Sequence, residues 1–135
     1  MMKIFDKPRI ISLPKIGNST TGYISLAEYE HLPFVVKRIY WTYFTPESIV
    51  RGHHAHYELE QILVAVSGKI TVYTEMPDST KESFTLDSPH IGILLPKFCW
   101  HTMQYSHDSV QMCIASMEYD QEDYVKDYEV FKKLT

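Results

Sequence analysis

The sequence predicts an all-β fold, a small barrel or sandwich of short strands with one helix at its C-terminal end. Three observations predict it. Runs rich in β-branched and aromatic residues recur at spacings of about eight to twelve, with turn residues between them. The run from Gln61 to Val66 is apolar on both faces, as a strand held between two layers is. From Gln121 the period changes, and Tyr124, Val125, Tyr128 and Phe131 recur three or four apart.

The first expected strand is Arg9 to Ile16, ended by the turn-forming Gly17-Asn18-Ser19. Tyr23 to Ala27 is a second strand, and Glu28 to Pro33 a polar loop. Phe34 to Phe44 is a long strand. Its period-2 alternation sets Arg38 and Tyr40 on one face, Ile39 and Trp41 on the other. Thr45 to Ser48 is a loop, and the strand holding Arg51 to His56 follows. Ser67-Gly68-Lys69 is a tight turn leading to a strand over Ile70 to Glu75, and Met76 to Ser79 is a hairpin loop. Further strands cover Ser83 to Leu86, Ile91 to Leu95, His101 to Tyr105 and Val110 to Ser116. The tail reads as an amphipathic helix of about three turns, with Asp120 as N-cap and Lys132-Lys133 in the last turn.

A chain of 135 residues suits one domain, residues 1–135, with a single core. A net charge of −4 supplies no global field for nucleic acid. An anionic ligand must therefore be held by local cations. Cys99 and Cys113 lack a C-x-x-C spacing and read as free thiols. No secretory leader is visible, and no apolar run approaches the roughly 20 residues needed to span a bilayer. The expectation is a cytoplasmic protein acting on neither nucleic acid nor membrane.

Chemistry concentrates in Arg51-Gly52-His53-His54-Ala55-His56. Residues i and i+2 of a strand share a face, so His54 and His56 enter one space together. Imidazoles titrate near neutrality, which suits proton transfer or metal ligation. His53 points the other way and is structural or at the rim. An arginine among apolar strand neighbours must find an anion or leave its face, and guanidinium forks match phosphate oxygens. Arg38 and Arg51 are thus candidate ligands of a phosphorylated substrate. Tyr40 shares the face of Arg38.

His54-x-His56-x4-Gln61-x6-Gly68 resembles the first cupin motif, and Pro96 to His101 the second. Cupins carry glutamate where this chain has Gln61. A neutral amide is a poorer ligand for a divalent metal, so the departure favours metal-free acid/base work, without excluding a three-imidazole site. Further segments narrow the resemblance: Lys37 to Trp41, Arg51 to His56, Leu59 to Val64, Leu86 to Pro89, Trp100-His101, and Tyr119-Asp120-x2-Asp123-Tyr124. From about Pro33 onward the chain is similar to the sugar-nucleotide 3,4-ketoisomerases, which act on dTDP-4-keto-6-deoxyglucose.

That resemblance implies a cupin-fold (jelly-roll) homodimer, often with exchanged N-terminal strands, and no metal or other cofactor. It implies transfer of a ketone from carbon 4 to carbon 3 of a dTDP-linked hexose, for 3-amino sugars of surface polysaccharide such as O-antigen. By position His54 matches the catalytic base, His56 its neighbour, Tyr40 the active-site tyrosine and Arg51 a substrate-binding arginine. Arg38, Gln61 and His101 are expected on the substrate side. Histidine at 101 leans toward the galacto-configured product, although Thr21 is not the arginine that goes with it. Three alternatives stay open: a metal-dependent cupin using His54, His56, His101 and Gln61; a 3,5-epimerase; and a non-catalytic sugar-nucleotide module.

Overall fold

The computed structural model describes residues 5–134. Strands form where the alternating runs predict them, with ends shifted by up to a few residues. They are β1 (Arg9–Ser12), β2 (Lys15–Asn18), β3 (Gly22–Ser25), β4 (Arg38–Tyr43), β5 (Val50–His56), β6 (Gln61–Ser67), β7 (Ile70–Glu75), β8 (Lys81–Leu86), β9 (Ile91–Leu95), β10 (Trp100–Tyr105), β11 (Val110–Ala115) and β12 (Tyr124–Val125). A helix, α1, covers Tyr128–Lys132.

Two five-stranded antiparallel sheets carry the architecture, ordered β1-β9-β6-β11-β4 and β12-β5-β10-β7-β8. The first has β6 near its centre. There Leu63 and Ala65 join the core between the sheets, with Ile93, Val72, Met103 and Cys113. Ile62 and Val64 pack on the opposite face with Ile11, Leu13 and Leu94. The strand is therefore buried on both sides, as its unbroken apolar run requires. The architecture is the expected all-β cupin barrel with a short C-terminal helix.

Two readings of the sequence need correction. The expected first strand, Arg9 to Ile16, is two strands. Pro14 has no backbone N–H to donate, and pairing with β9 stops at Ser12. The chain then enters the β2–β3 hairpin, which is exposed along both strands. Asn18 caps its turn, accepting from the backbone N–H groups of Thr20 and Thr21.

The tail is not a three-turn helix. Gln121–Asp123 form a 3-10 turn, β12 pairs with β5, and only five residues are α-helical. Tertiary pairing overrides helical periodicity here. Asp123 is drawn inward to accept from backbone N–H groups of Glu58 and Leu59, which a continuous helix would forbid. Asp120 caps the 3-10 turn, and Asp127 caps α1 through the N–H groups of Glu129 and Val130. Phe131 still buries its ring with Ala55 and Val125, beside Trp100. The phenol of Tyr128 and the ammonium of Lys132 latch α1 onto Glu75 at 2.8 and 3.1 Å.

Candidate active site

The histidine strand is irregular, and the irregularity shapes the site. In the β5–β10 register Gly52 faces Thr102 and His54 faces His101, so His53 has no cross-strand partner. This is a β-bulge, with φ of 98° at Gly52 and 60° at His53. On a regular strand Arg51 and His54, three apart, would face opposite sides. The extra residue restores them to one side, and both line the same cavity. Glycine is required at 52. A Cβ there would lie 2.6 Å from the His101 carbonyl oxygen. Gly52→Ala is expected to lower stability by about 1–3 kcal/mol and to loosen the His54–His101 register. Thermal unfolding checks it; a melting temperature within a degree of the parent would contradict the account.

The cavity has a volume of about 600 Å³ and lies between β4 and β5, closed on one side by the tail. Arg38 and Tyr40 reach it from β4, Arg51 and His54 from β5, Tyr124 and Lys126 from the tail. No acidic side chain lines it among the described residues. Three cations therefore converge on one hollow of an acidic protein. Arg38 lies with its guanidinium 5.0 Å from the Tyr40 ring, and its Nε is buried without a hydrogen-bond partner. A buried donor without an acceptor is costly, and an oxygen of a bound ligand would satisfy it.

His56, Gln61 and His101 stand behind this wall, at 4, 2 and 2% exposure. The expectation that Gln61 and His101 border the substrate space is not how they sit: neither lines the cavity. They form a hydrogen-bonded row instead. The Tyr40 hydroxyl donates to Gln61 Oε1 at 3.3 Å, and the Cys113 thiol donates to the same oxygen at 3.3 Å. The Gln61 amide N–H then meets His101 Nε2 at 3.2 Å. His101 Nδ1 contacts the Cys99 carbonyl at 3.0 Å. A carbonyl only accepts, so Nδ1 carries the proton and Nε2 accepts from the amide.

The same logic fixes the other two rings. His54 Nδ1 lies 3.1 Å from the Gly52 carbonyl and must donate to it. His56 Nδ1 lies 3.2 Å from Asp123 Oδ2. Each ring keeps its lone pair on Nε2. The rings are close: His54 is 4.9 Å from His56, 4.7 Å from His101 and 4.9 Å from Tyr124.

Electrostatics keep the cluster neutral. Burial lowers His54 below the ordinary imidazole value, and the nearby Lys126 and His53 charges act the same way. Burial also depresses His101, to about 3, with His54 adding to it. His56 is likewise lowered, first by burial and then by its imidazole neighbours. Burial raises the Tyr40 phenol far above the usual range, so it stays an O–H donor. A neutral imidazole with a free lone pair and a protonated phenol lining one cavity can serve as an acid/base pair.

Asp123, Tyr124 and Lys126 were not singled out as site residues from the sequence. The signal available was the Tyr119-Asp120-x2-Asp123-Tyr124 segment, which was read for its helical period. Among the described residues, no group of three or more His, Cys, Asp or Glu is arranged to hold a metal ion.

A family model described as "FdtA: WxcM-like, C-terminal" matches residues 6–135. The chain belongs to this FdtA family. A TDP-4-oxo-6-deoxy-alpha-D-glucose-3,4-oxoisomerase of Aneurinibacillus thermoaerophilus is 37% identical over 126 residues, 93% of this chain and 90% of that protein. A 3,4-ketoisomerase from Helicobacter canadensis superposes with a TM-score of 0.87 at 30% identity, covering 93% of this chain and 95% of that one. QdtA, a sugar 3,4-ketoisomerase from Thermoanaerobacterium thermosaccharolyticum solved with TDP, gives 0.88 at 26% identity, covering 93% and 92%. Membership in the FdtA family gives the cavity its context.

Proposed function

We propose that this protein is a sugar-nucleotide 3,4-ketoisomerase that moves the ketone of dTDP-4-keto-6-deoxy-D-glucose from carbon 4 to carbon 3. One observation carries the reading. His54, neutral and with its Nε2 lone pair free, lines the same cavity as the protonated Tyr40 phenol. A hydrogen beside a ketone is acidified because its removal gives an enolate. His54 takes the proton from carbon 3, leaving an enediolate, and returns it to carbon 4. Tyr40 passes the hydroxyl proton from the carbon 3 oxygen to the carbon 4 oxygen.

The negative oxygen of the enediolate faces the Arg38 guanidinium, whose Nε lacks a partner. One well-placed donor to such an oxygen contributes typically ~2.7–4 kcal/mol. Arg51 and Lys126, both exposed, hold the diphosphate at the cavity mouth. Gln61 and His101 act from behind the wall by holding the Tyr40 hydroxyl in place, and His56 braces His54 edge-on. The product, a 3-ketone, is chemically a substrate for transamination, which suits the making of 3-amino sugars for surface polysaccharide. Cytoplasmic action fits its two free, buried cysteines.

The test is incubation with dTDP-4-keto-6-deoxyglucose and identification of the sugar by NMR, which also reports the configuration at carbon 4. Absence of any 3-keto sugar refutes the reading.

The working unit is a homodimer. β4 is the edge of its sheet, and its outer face presents Ile39, Trp41 and Tyr43, all more than half exposed. An apolar edge strand of this kind is covered in a stable protein. Trp41→Lys is expected to shift the protein to a monomer in analytical ultracentrifugation. A parent protein that is itself monomeric at micromolar concentration refutes this assignment.

A further inference from the structure

We infer that Asp123 is a positioning residue of the isomerase site, which sets the proton of His56 on Nδ1 and thereby fixes the ring that braces His54. The inference rests on the ketoisomerase reading for its kinetic consequence, and on geometry alone for its structural one.

Asp123 is 7% exposed. Its two oxygens accept three bonds: from the Glu58 N–H at 2.8 Å, the Leu59 N–H at 3.1 Å and His56 Nδ1 at 3.2 Å. The backbone bonds hold the loop between β5 and β6, one on each carboxylate oxygen. The bond to His56 asks for more. A carboxylate only accepts, so the imidazole is obliged to donate from Nδ1, and burial keeps the ring neutral with its lone pair on the far edge. His54 and His101 are set in the same sense by the Gly52 and Cys99 carbonyls. His56 is the one ring of the three whose Nδ1 partner is a side chain, and so a residue that mutation can alter. A carboxylate of this kind holds a neighbouring histidine in one tautomer and orientation.

The segment bearing Asp123 also makes part of the cavity. The Tyr57 N–H donates to the Asp123 carbonyl at 3.1 Å, and Tyr124 pairs with His56 across β12 and β5. The Tyr124 ring lies 4.5 Å from His56 and 4.9 Å from His54. Asp123 thus locks the inner ring while its neighbour covers the outer one.

Asp123→Asn is the decisive variant. With its oxygen on the Glu58 N–H, the amide turns its nitrogen toward the Leu59 N–H and His56 Nδ1, so one loop bond is lost and an N–H faces the ring. His56 must then accept there and move its proton to Nε2. Histidine labelled with 15N distinguishes the two tautomers by NMR, with His56→Gln used to assign the signal. The expected result is an Nδ1–H tautomer in the parent and an Nε2–H tautomer in the variant. It is accompanied by a roughly 10- to 100-fold fall in kcat, with KM and the dissociation constant for dTDP within about threefold.

Asp123→Glu, which keeps the carboxylate, is expected to recover part of the rate. A parent His56 protonated on Nε2 overturns the inference, whether or not the variants fold. So does a switched tautomer with kcat unchanged. A parent protein that makes no 3-keto sugar refutes the functional reading instead, while the NMR result still decides whether Asp123 sets the tautomer.

Discussion

His54→Asn is expected to lower kcat by about 10²- to 10⁴-fold while leaving dTDP binding nearly intact. Asparagine keeps much of the volume and one hydrogen-bond donor, yet it can neither take nor return a proton near neutral pH. The cations at the cavity mouth are untouched, so affinity for the nucleotide survives. The same residue governs the acid limb of the pH profile. Activity requires His54 uncharged, and burial lowers its titration below the ordinary imidazole value of about 6.5. The kcat/KM of the parent is therefore expected to fall in acid with a midpoint below that value. A variant within tenfold of the parent, or an acid limb centred above 6.5, would remove His54 from the role of base.

Acid is also expected to unfold the protein through the histidines behind the cavity. His101 is buried and held down to about 3 against 6.5 for a free ring. Between these values the unfolded chain binds a proton that the folded chain refuses. Stability is therefore full above about 6.5 and is lost as pH falls toward 3, at up to about 1.4 kcal/mol per pH unit. From pH 7 to pH 4 this one residue removes roughly 3 kcal/mol, a large share of the 5–15 kcal/mol typical of a domain. His54 and His56, lowered in the same direction, act with the same sign. Urea unfolding at pH 7, 5 and 4 measures the slope, and His101→Gln should reduce it by about one proton. An unchanged slope in that variant would show that His101 is not the group responsible.

How much of this was readable in the sequence depends on what kind of contact makes each feature. The strands were readable because burial on one or two faces writes itself as a period of two or as an unbroken apolar run. His54 and His56 were readable because two residues on one strand share a face whatever lies across from them. Arg51 reached the correct side only through the bulge at Gly52 and His53, which strict alternation does not foresee.

Gln61 was expected at the substrate; it does not line the cavity and instead accepts from the Tyr40 hydroxyl, which reaches across the small Cys113 of β11. The tail was misread because its helical period is real but weak. The fold instead uses Asp123 as a clamp on a loop 64 and 65 positions earlier in the chain. Contacts of that separation leave no local mark.

That clamp has a consequence for how the molecule comes into being. Part of the cavity wall and the brace on His56 are supplied by residues 119–126, so synthesis must pass that segment before catalysis can exist. Chains that stop before Tyr119 would lack that side of the hollow. Closure across so many residues is also the kind of step that sets a slow folding rate.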